Sequence, residues 1–187
     1  MTRTAADRGR EVRRRLVQAA RELVPERGWT AVSTRTVAER AGVAPGLVHY
    51  HFASLQALLA EAAVGALREM IDGVGELLQQ ARTPTELVDL IAAAVDRYTG
   101  TDPASLLAVE TYLAATRDPG LREQLGAVLD EFRDGVARQL REQGVPDPVA
   151  TAAVLAAVVD GVLLHRALGP VPAVAQVLHR IVAEGEH

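Results

Sequence analysis

Three observations predict an all-α fold. Apolar residues recur at three- and four-residue spacing through most of the 187-residue chain. Short breaks containing Gly or Pro separate these runs, and several breaks place a capping residue directly before proline. No run reads convincingly as a strand. About nine helices are expected. They divide into an N-terminal three-helix unit with the start of a fourth helix, residues 9–68, and a helical body, residues 69–187.

The first helix is expected over roughly residues 9–27. Val12, Leu16, Ala19, Ala20 and Leu23 make its apolar stripe, and Arg8, Arg10, Arg13 and Arg14 crowd its start. Gly28 and Trp29 close it, with Trp29 placed to wedge the unit together. The next stretch, residues 33–52, reads STRTVAERAGVAPGLVHYHF. Ser33 can accept a first-turn N–H and so cap a short helix. Val37, Ala38 and Ala41 form that helix's buried face, and the small Ala38 lets a second helix cross closely. Gly42 stops it where a left-handed backbone is cheap. Val43 fills the corner, and Pro45 suits the first turn of the following helix. Val48 and Phe52, four apart, face back. This is a helix-turn-helix, whose second helix is the one expected in a DNA major groove.

Ser54 is expected to cap a fourth helix running to about residue 80, with Leu55, Leu58, Leu59, Ala62 and Ala63 inward at its start. The second half then repeats a polar cap before proline, at Thr83-Pro84, Asp102-Pro103, Asp118-Pro119 and Asp147-Pro148. Thr83 with Glu86 makes a capping box. Val171-Pro172 opens a last helix without a polar cap. The eighth helix, about 148–168, is apolar nearly all round and must be buried on most sides. Leu155, Val159, Val162 and Leu163, with Val174 and Leu178 of the ninth helix, are the expected faces of a four-helix bundle across a two-fold axis.

Composition narrows the function. Cysteine is absent, which excludes disulfides and thiolate zinc sites. The arginine-rich start lacks the form of a signal peptide. The apolar stretch 152–164 is interrupted by Asp160 and is too short to span a bilayer. A cytoplasmic protein with no membrane partner is expected. The net charge of −4 hides a split. Residues 1–53 hold ten arginines against five acids, and the remainder ten against nineteen. A polyanion is drawn to the first part and repelled by the second.

The residues Thr36-Val37-Ala38-Glu39-Arg40-Ala41-Gly42-Val43, the triplet Tyr50-His51-Phe52, Ser54 and Leu58-Leu59 resemble the TetR-type transcriptional regulators in identity and spacing. The resemblance by motif covers residues 9 to 68 and beyond that is architectural. The chain departs from the family at Ala44, Pro45, Leu47 and His49, so details of base reading do not carry over. The resemblance implies a homodimeric, ligand-responsive regulator, a repressor, on a pseudo-palindromic double-stranded DNA operator.

The exposed residues of the recognition helix are expected to be Pro45, Gly46, Leu47, His49 and Tyr50. Gly46 allows close backbone approach. Leu47, with no donor or acceptor, suits a thymine C5-methyl. Tyr50 and His51 resemble the family's phosphate-contacting pair, and Arg35 and Thr36 should reach a backbone phosphate. His49 and His51 lie two apart, point to different sides of a helix and do not make a metal pair.

The family's helical body houses an effector. Candidates to line its chamber are Met70, Ile91, Tyr98, Leu106, Tyr112, Leu113, Phe132 and Leu164, with Arg97, Glu110 and His165 as polar groups able to orient a ligand. The six aromatic residues are few, which favours an aliphatic-rich effector over a broad aromatic drug. No catalytic constellation, phosphate loop or metal set has telling spacing, so neither an enzyme nor a cofactor is expected. A helical ligand-binding or interaction protein without operator binding is the alternative.

Overall fold

The computed structural model describes residues 5–171 and 174–183. Among these there are nine α-helices and no strand: α1 (Ala5–Arg27), α2 (Thr34–Ala41), α3 (Gly46–His51), α4 (Leu55–Leu78), α5 (Pro84–Val95), α6 (Pro103–Ala115), α7 (Pro119–Glu142), α8 (Pro148–Arg166) and α9 (Val174–Ala183). A 3-10 turn at Trp29–Ala31 joins α1 to α2. Pro172, expected to open α9, lies outside the described residues.

The chain divides into two compact units. One comprises Met1–Leu67 and Leu106–Glu123, the other Arg68–Ser105 and Gln124–His187. The segment 106–123 thus packs with the N-terminal helices, which linear order does not disclose.

In the first unit α1 packs on α2 and α3. Leu16, Leu23 and Val24 of α1 are fully buried, as are Val37 and Ala38 of α2, Val48 of α3, and Leu58 and Leu59 of α4. Val12, expected in the stripe, is only half-buried. In the second unit Leu87, Val88 and Ile91 of α5 form a core with Val136 and Leu140 of α7, Leu155 and Val162 of α8, and Leu178 and Val182 of α9. Arg166 fastens the end of α5. Its guanidinium donates to the carbonyl oxygens of Val95 (2.6 Å) and Tyr98 (3.1 Å) and pairs with Asp96 (2.5 Å). A Cβ on Gly100 would lie 2.4 Å from the Ala167 nitrogen, so only glycine lets this corner close.

Three of the four cap-proline sites start their helices as expected. The Thr83 hydroxyl accepts from the Glu86 N–H (3.1 Å), while the Glu86 carboxylate reaches back to the Arg82 N–H (2.7 Å) rather than to Thr83 itself. Asp102 accepts from the Ala104 and Ser105 amides, and Asp118 from those of Gly120 and Leu121. Asp147 does not cap. Its backbone is left-handed (φ 46°, ψ 52°) and its side chain makes no capping bond to α8. An N-cap needs the extended backbone that aims its oxygen at the first turn.

Helix α8 is 19 residues long with a mean hydropathy of 1.8, enough by length and composition to cross a bilayer and longer than the stretch 152–164. It contacts α5 and α9, but only 17% of its apolar stretch is buried, so the burial on most sides that its composition predicts is not met within one copy of the chain.

Candidate nucleic-acid interface and ligand groove

The helix-turn-helix forms by the expected local chemistry. The Ser33 hydroxyl accepts from the Thr36 N–H (3.2 Å), and the Thr36 hydroxyl accepts from the Ser33 N–H (3.0 Å), a reciprocal capping box. Thr36, predicted to reach a phosphate, has this hydroxyl occupied by the cap. Gly42 is left-handed (φ 63°). Its N–H bonds the Glu39 carbonyl (3.1 Å) and that of Val43 bonds Ala38 (3.0 Å), the paired bonds of a Schellman ending. Pro45 stands immediately before α3, with helical backbone angles of its own (φ −55°, ψ −34°).

Arg15 holds this turn from α1. Its guanidinium donates to the carbonyl of Ala41 (2.9 Å from Nε) and to that of Gly42 (2.8 Å), satisfying acceptors that the end of α2 leaves open. The sequence reading missed Arg15, because nothing local distinguishes it from its neighbours Arg13 and Arg14. Arg13 also turns inward. It forks onto Glu61 (two bonds of 2.5 Å) and lies 4.8 Å over the Phe52 ring. Arg40 binds Glu26 (2.6 Å) and Glu22 (3.2 Å). The basic start therefore spends much of its charge on internal pairs, and its net excess acts on a polyanion as a longer-range field.

Pro45, Gly46, His49 and Tyr50 are exposed, and Leu47 and His51 are half-buried. Tyr50 is 79% exposed, with its ring edge-on to His51 at 5.0 Å. Arg35 is exposed at the start of α2 and paired with Glu39 (2.7 Å). The face combines an apolar Leu47, ring donors on His49 and His51, a free phenol and one guanidinium. That set can position on phosphates and read a thymine methyl by contact, but offers few groups for base-edge hydrogen bonds.

In the second unit, the C-terminal half of α4 and α7 line a groove of about 1000 Å³. Ile71, Leu78, Val128, Phe132 and Val136 form its apolar floor. Gly75 and Gly135 leave open space on its walls. Asp72, Glu76, Glu131, Glu142, Arg82 and Arg138 also line it. Glu131 is held by Arg68 (2.5 Å).

Of the predicted ligand residues only Phe132 lines this groove. Glu110 is placed elsewhere: its carboxylate accepts from the Trp29 N–H (2.7 Å) in the first unit. Arg97 and His165 are exposed, Leu113 is half-exposed, and Ile91 is packed in the core of the second unit. Met70, Tyr98, Leu106 and Tyr112 are half-buried outside the groove lining, and Leu164 is exposed on α8. The groove residues escaped the sequence reading because charged residues and glycines at helical spacing look like a solvated face.

The predicted dimer residues also divide. Leu155 and Leu178 are 1% exposed and Val162 is buried, all in the protomer's own core, where a partner cannot reach them. Val159, Leu163 and Val174 pack partly against that core. Among the described residues from α8 onward, the large apolar side chains left outside are Val149, Val154, Leu164 and Leu168, with Val177 and Ile181 of α9. On α8, Val154, Ala157, Gly161 and Leu164 follow an alternation of three and four that defines one helical seam, and Leu168 lies just beyond the helix end.

Comparison with known proteins agrees with this geometry. The family model described as bacterial regulatory proteins, tetR family, matches residues 16–62, and that for the tetracyclin repressor-like C-terminal domain matches residues 82–184. The chain belongs to the TetR family of transcriptional regulators. It is a DNA-binding regulator and not an enzyme. It is 28% identical over 164 residues to the HTH-type transcriptional regulator BetI of Rhizobium meliloti (strain 1021), covering 86% of this chain and 80% of that one. The solved structure of the transcriptional regulator SCO7518 from Streptomyces coelicolor A3(2) is similar at 30% identity and a TM-score of 0.75, over 92% of this chain and 98% of that one. The multidrug binding protein EbrR, solved with imidazole, is similar at 31% identity and a TM-score of 0.72 over 97% of both chains. EbrR has also been solved with ethidium, at 32% identity and a TM-score of 0.67 over 91% of this chain and 98% of that one.

Proposed function

We propose that this regulator is a cytoplasmic repressor that binds a pseudo-palindromic operator as a homodimer and leaves it when a small organic cation occupies the α4–α7 groove. The observation that carries the ligand half is the groove itself. It has apolar lining that includes Phe132, with Asp72, Glu76 and Glu142 against two guanidiniums around it and a fourth carboxylate, Glu131, already paired with Arg68. That balance suits a cation with an apolar body, which an aromatic face attracts further. EbrR, bound to ethidium in its structure, supports a cation over the aliphatic-rich molecule that the low aromatic content suggested.

The groove wall is also the connection to the reader. Helix α4 is one continuous helix, so a ligand that shifts its C-terminal turns acts on the same rod that starts beside the helix-turn-helix. Ligand and operator then disfavour each other with a reciprocal coupling of roughly 1–3 kcal/mol. The seam through Val154, Leu164 and Leu168 supports the dimer. A pseudo-palindromic operator with half-sites one DNA turn apart asks for recognition helices about 34–36 Å apart in such a dimer.

The test is an operator complex titrated with ethidium and with choline, followed by fluorescence anisotropy of labelled DNA. At least one cation should release the DNA, and Phe132→Ala should blunt the release while leaving operator affinity unchanged. Release that is indifferent to Phe132 would move the ligand out of this groove.

A further inference from the structure

Trp29 is gripped from two sides within the first unit. Its backbone N–H donates to the Glu110 carboxylate on α6 (2.7 Å), and its indole N–H donates to the Gln56 side-chain oxygen on α4 (2.9 Å). Trp29 as a whole is 8% exposed. Trp29 begins the 3-10 turn that ends at Ala31, and two residues later Ser33 caps α2. Whatever fixes Trp29 therefore fixes the start of the helix against which recognition helix α3 packs. Both gripping helices run on along the chain into the second unit, α4 to Leu78 and α6 back to Pro103.

We propose that Glu110 is a positioning residue for operator binding, a latch through which the setting of α6 is imposed on the helix-turn-helix. The carboxylate supplies the acceptor for the first N–H of a turn that no side chain caps locally. Its charge suits the positive end of a helical turn. When α6 moves relative to α4, the two hydrogen bonds on Trp29 cannot both be kept. The turn then loses its fixed register, and α3 loses the angle at which it enters the groove. The latch rests on the operator-binding reading above. It costs non-specific DNA affinity nothing, because phosphate attraction does not depend on that angle.

The experiment uses the full chain and a genomic fragment that the wild-type protein itself selects, with a scrambled fragment of equal length as control. Wild type, Glu110→Gln, Glu110→Asp and Glu110→Ala are compared at a temperature where circular dichroism shows each fully folded. Gln keeps an acceptor at the same reach and should keep the wild-type ratio of operator to scrambled affinity. Asp, shorter by one methylene, and Ala should lower that ratio about tenfold by weakening the operator alone. Hydrogen exchange at the Trp29 amide should be slow in wild type and Gln and fast in Asp and Ala. Asp and Ala variants that keep the wild-type ratio overturn the latch and leave the operator-binding reading standing. A wild-type protein that selects no fragment overturns both.

Discussion

At the scale of single residues, the proposed interface turns on what Leu47 and Arg35 can do. Leu47 discriminates only by apolar contact, and in a major groove the thymine methyl is the group that rewards it. Replacing the contacted thymine by uracil should cost wild type on the order of 1 kcal/mol, the value of one buried methyl-sized group. Leu47→Ala should be nearly indifferent to the swap, and a double-mutant cycle over protein and DNA measures the coupling. No coupling at any thymine would make Leu47 a packing residue. Arg35 is exposed yet tied to Glu39. Arg35→Ala should weaken all operator variants alike and flatten the log-affinity against log-salt slope by about one. Glu39→Gln frees the same guanidinium and should tighten binding by a few fold. Unchanged salt dependence in Arg35→Ala would remove Arg35 from the interface. Ser33, Gly42, Val48 and Phe52 were legible in the sequence because each answers a local requirement: a cap, a left-handed turn, a buried face. Arg15 and Glu110 were not, because their partners stand 26 and 81 residues away.

At the scale of elements, the caps and the glycines set helix stability. The Asp102 carboxyl starts α6. Burial pushes its pKa up, but hydrogen bonds from Ser105 and Thr99 outweigh this and hold it down at about 2. An unfolded aspartate titrates near 3.9. The folded group is thus the stronger acid, and its contribution is present above pH 4 and is lost as pH falls from about 4 towards 2. Asp102→Ala should cost about 1 kcal/mol at neutral pH. The gap in melting temperature between wild type and variant should close across that acid range, and a constant gap would contradict the assignment. Helix α4 carries Gly73 and Gly75, both with open space where a Cβ would stand. Alanine at either should stabilise by about 0.5–1 kcal/mol, or roughly 1–4 °C in Tm. Only Gly75→Ala should alter ligand release, because Gly75 lines the groove and Gly73 does not. Equal effects on release would place the ligand elsewhere. Helix positions were readable from periodicity and cap-proline pairs. The groove was not, since it depends on which faces of α4 and α7 oppose each other, and Asp147 misled because a residue type does not reveal its backbone angle.

At the scale of the whole molecule, the chain is a reader joined to a sensor, and the proposed dimer would couple two copies. The sequence showed that α8 is apolar nearly all round, which is why it could not show which face stays outside. Leu164 is 51% exposed and Leu155 is 1% exposed. Leu164→Glu should therefore give a folded monomer in sedimentation, with weakened operator binding, whereas Leu155→Glu buries an unpaired charge and should not fold. A dimeric Leu164→Glu protein would move the seam off this face. The central claim is that two such readers recognise an inverted repeat. Selection of bound fragments from the source genome, followed by footprinting of the enriched site, tests it directly. The predicted result is two protected half-sites related by a dyad, their centres 10–10.5 base pairs or a multiple apart. Enrichment of no common sequence, with binding that varies only with salt, would contradict it.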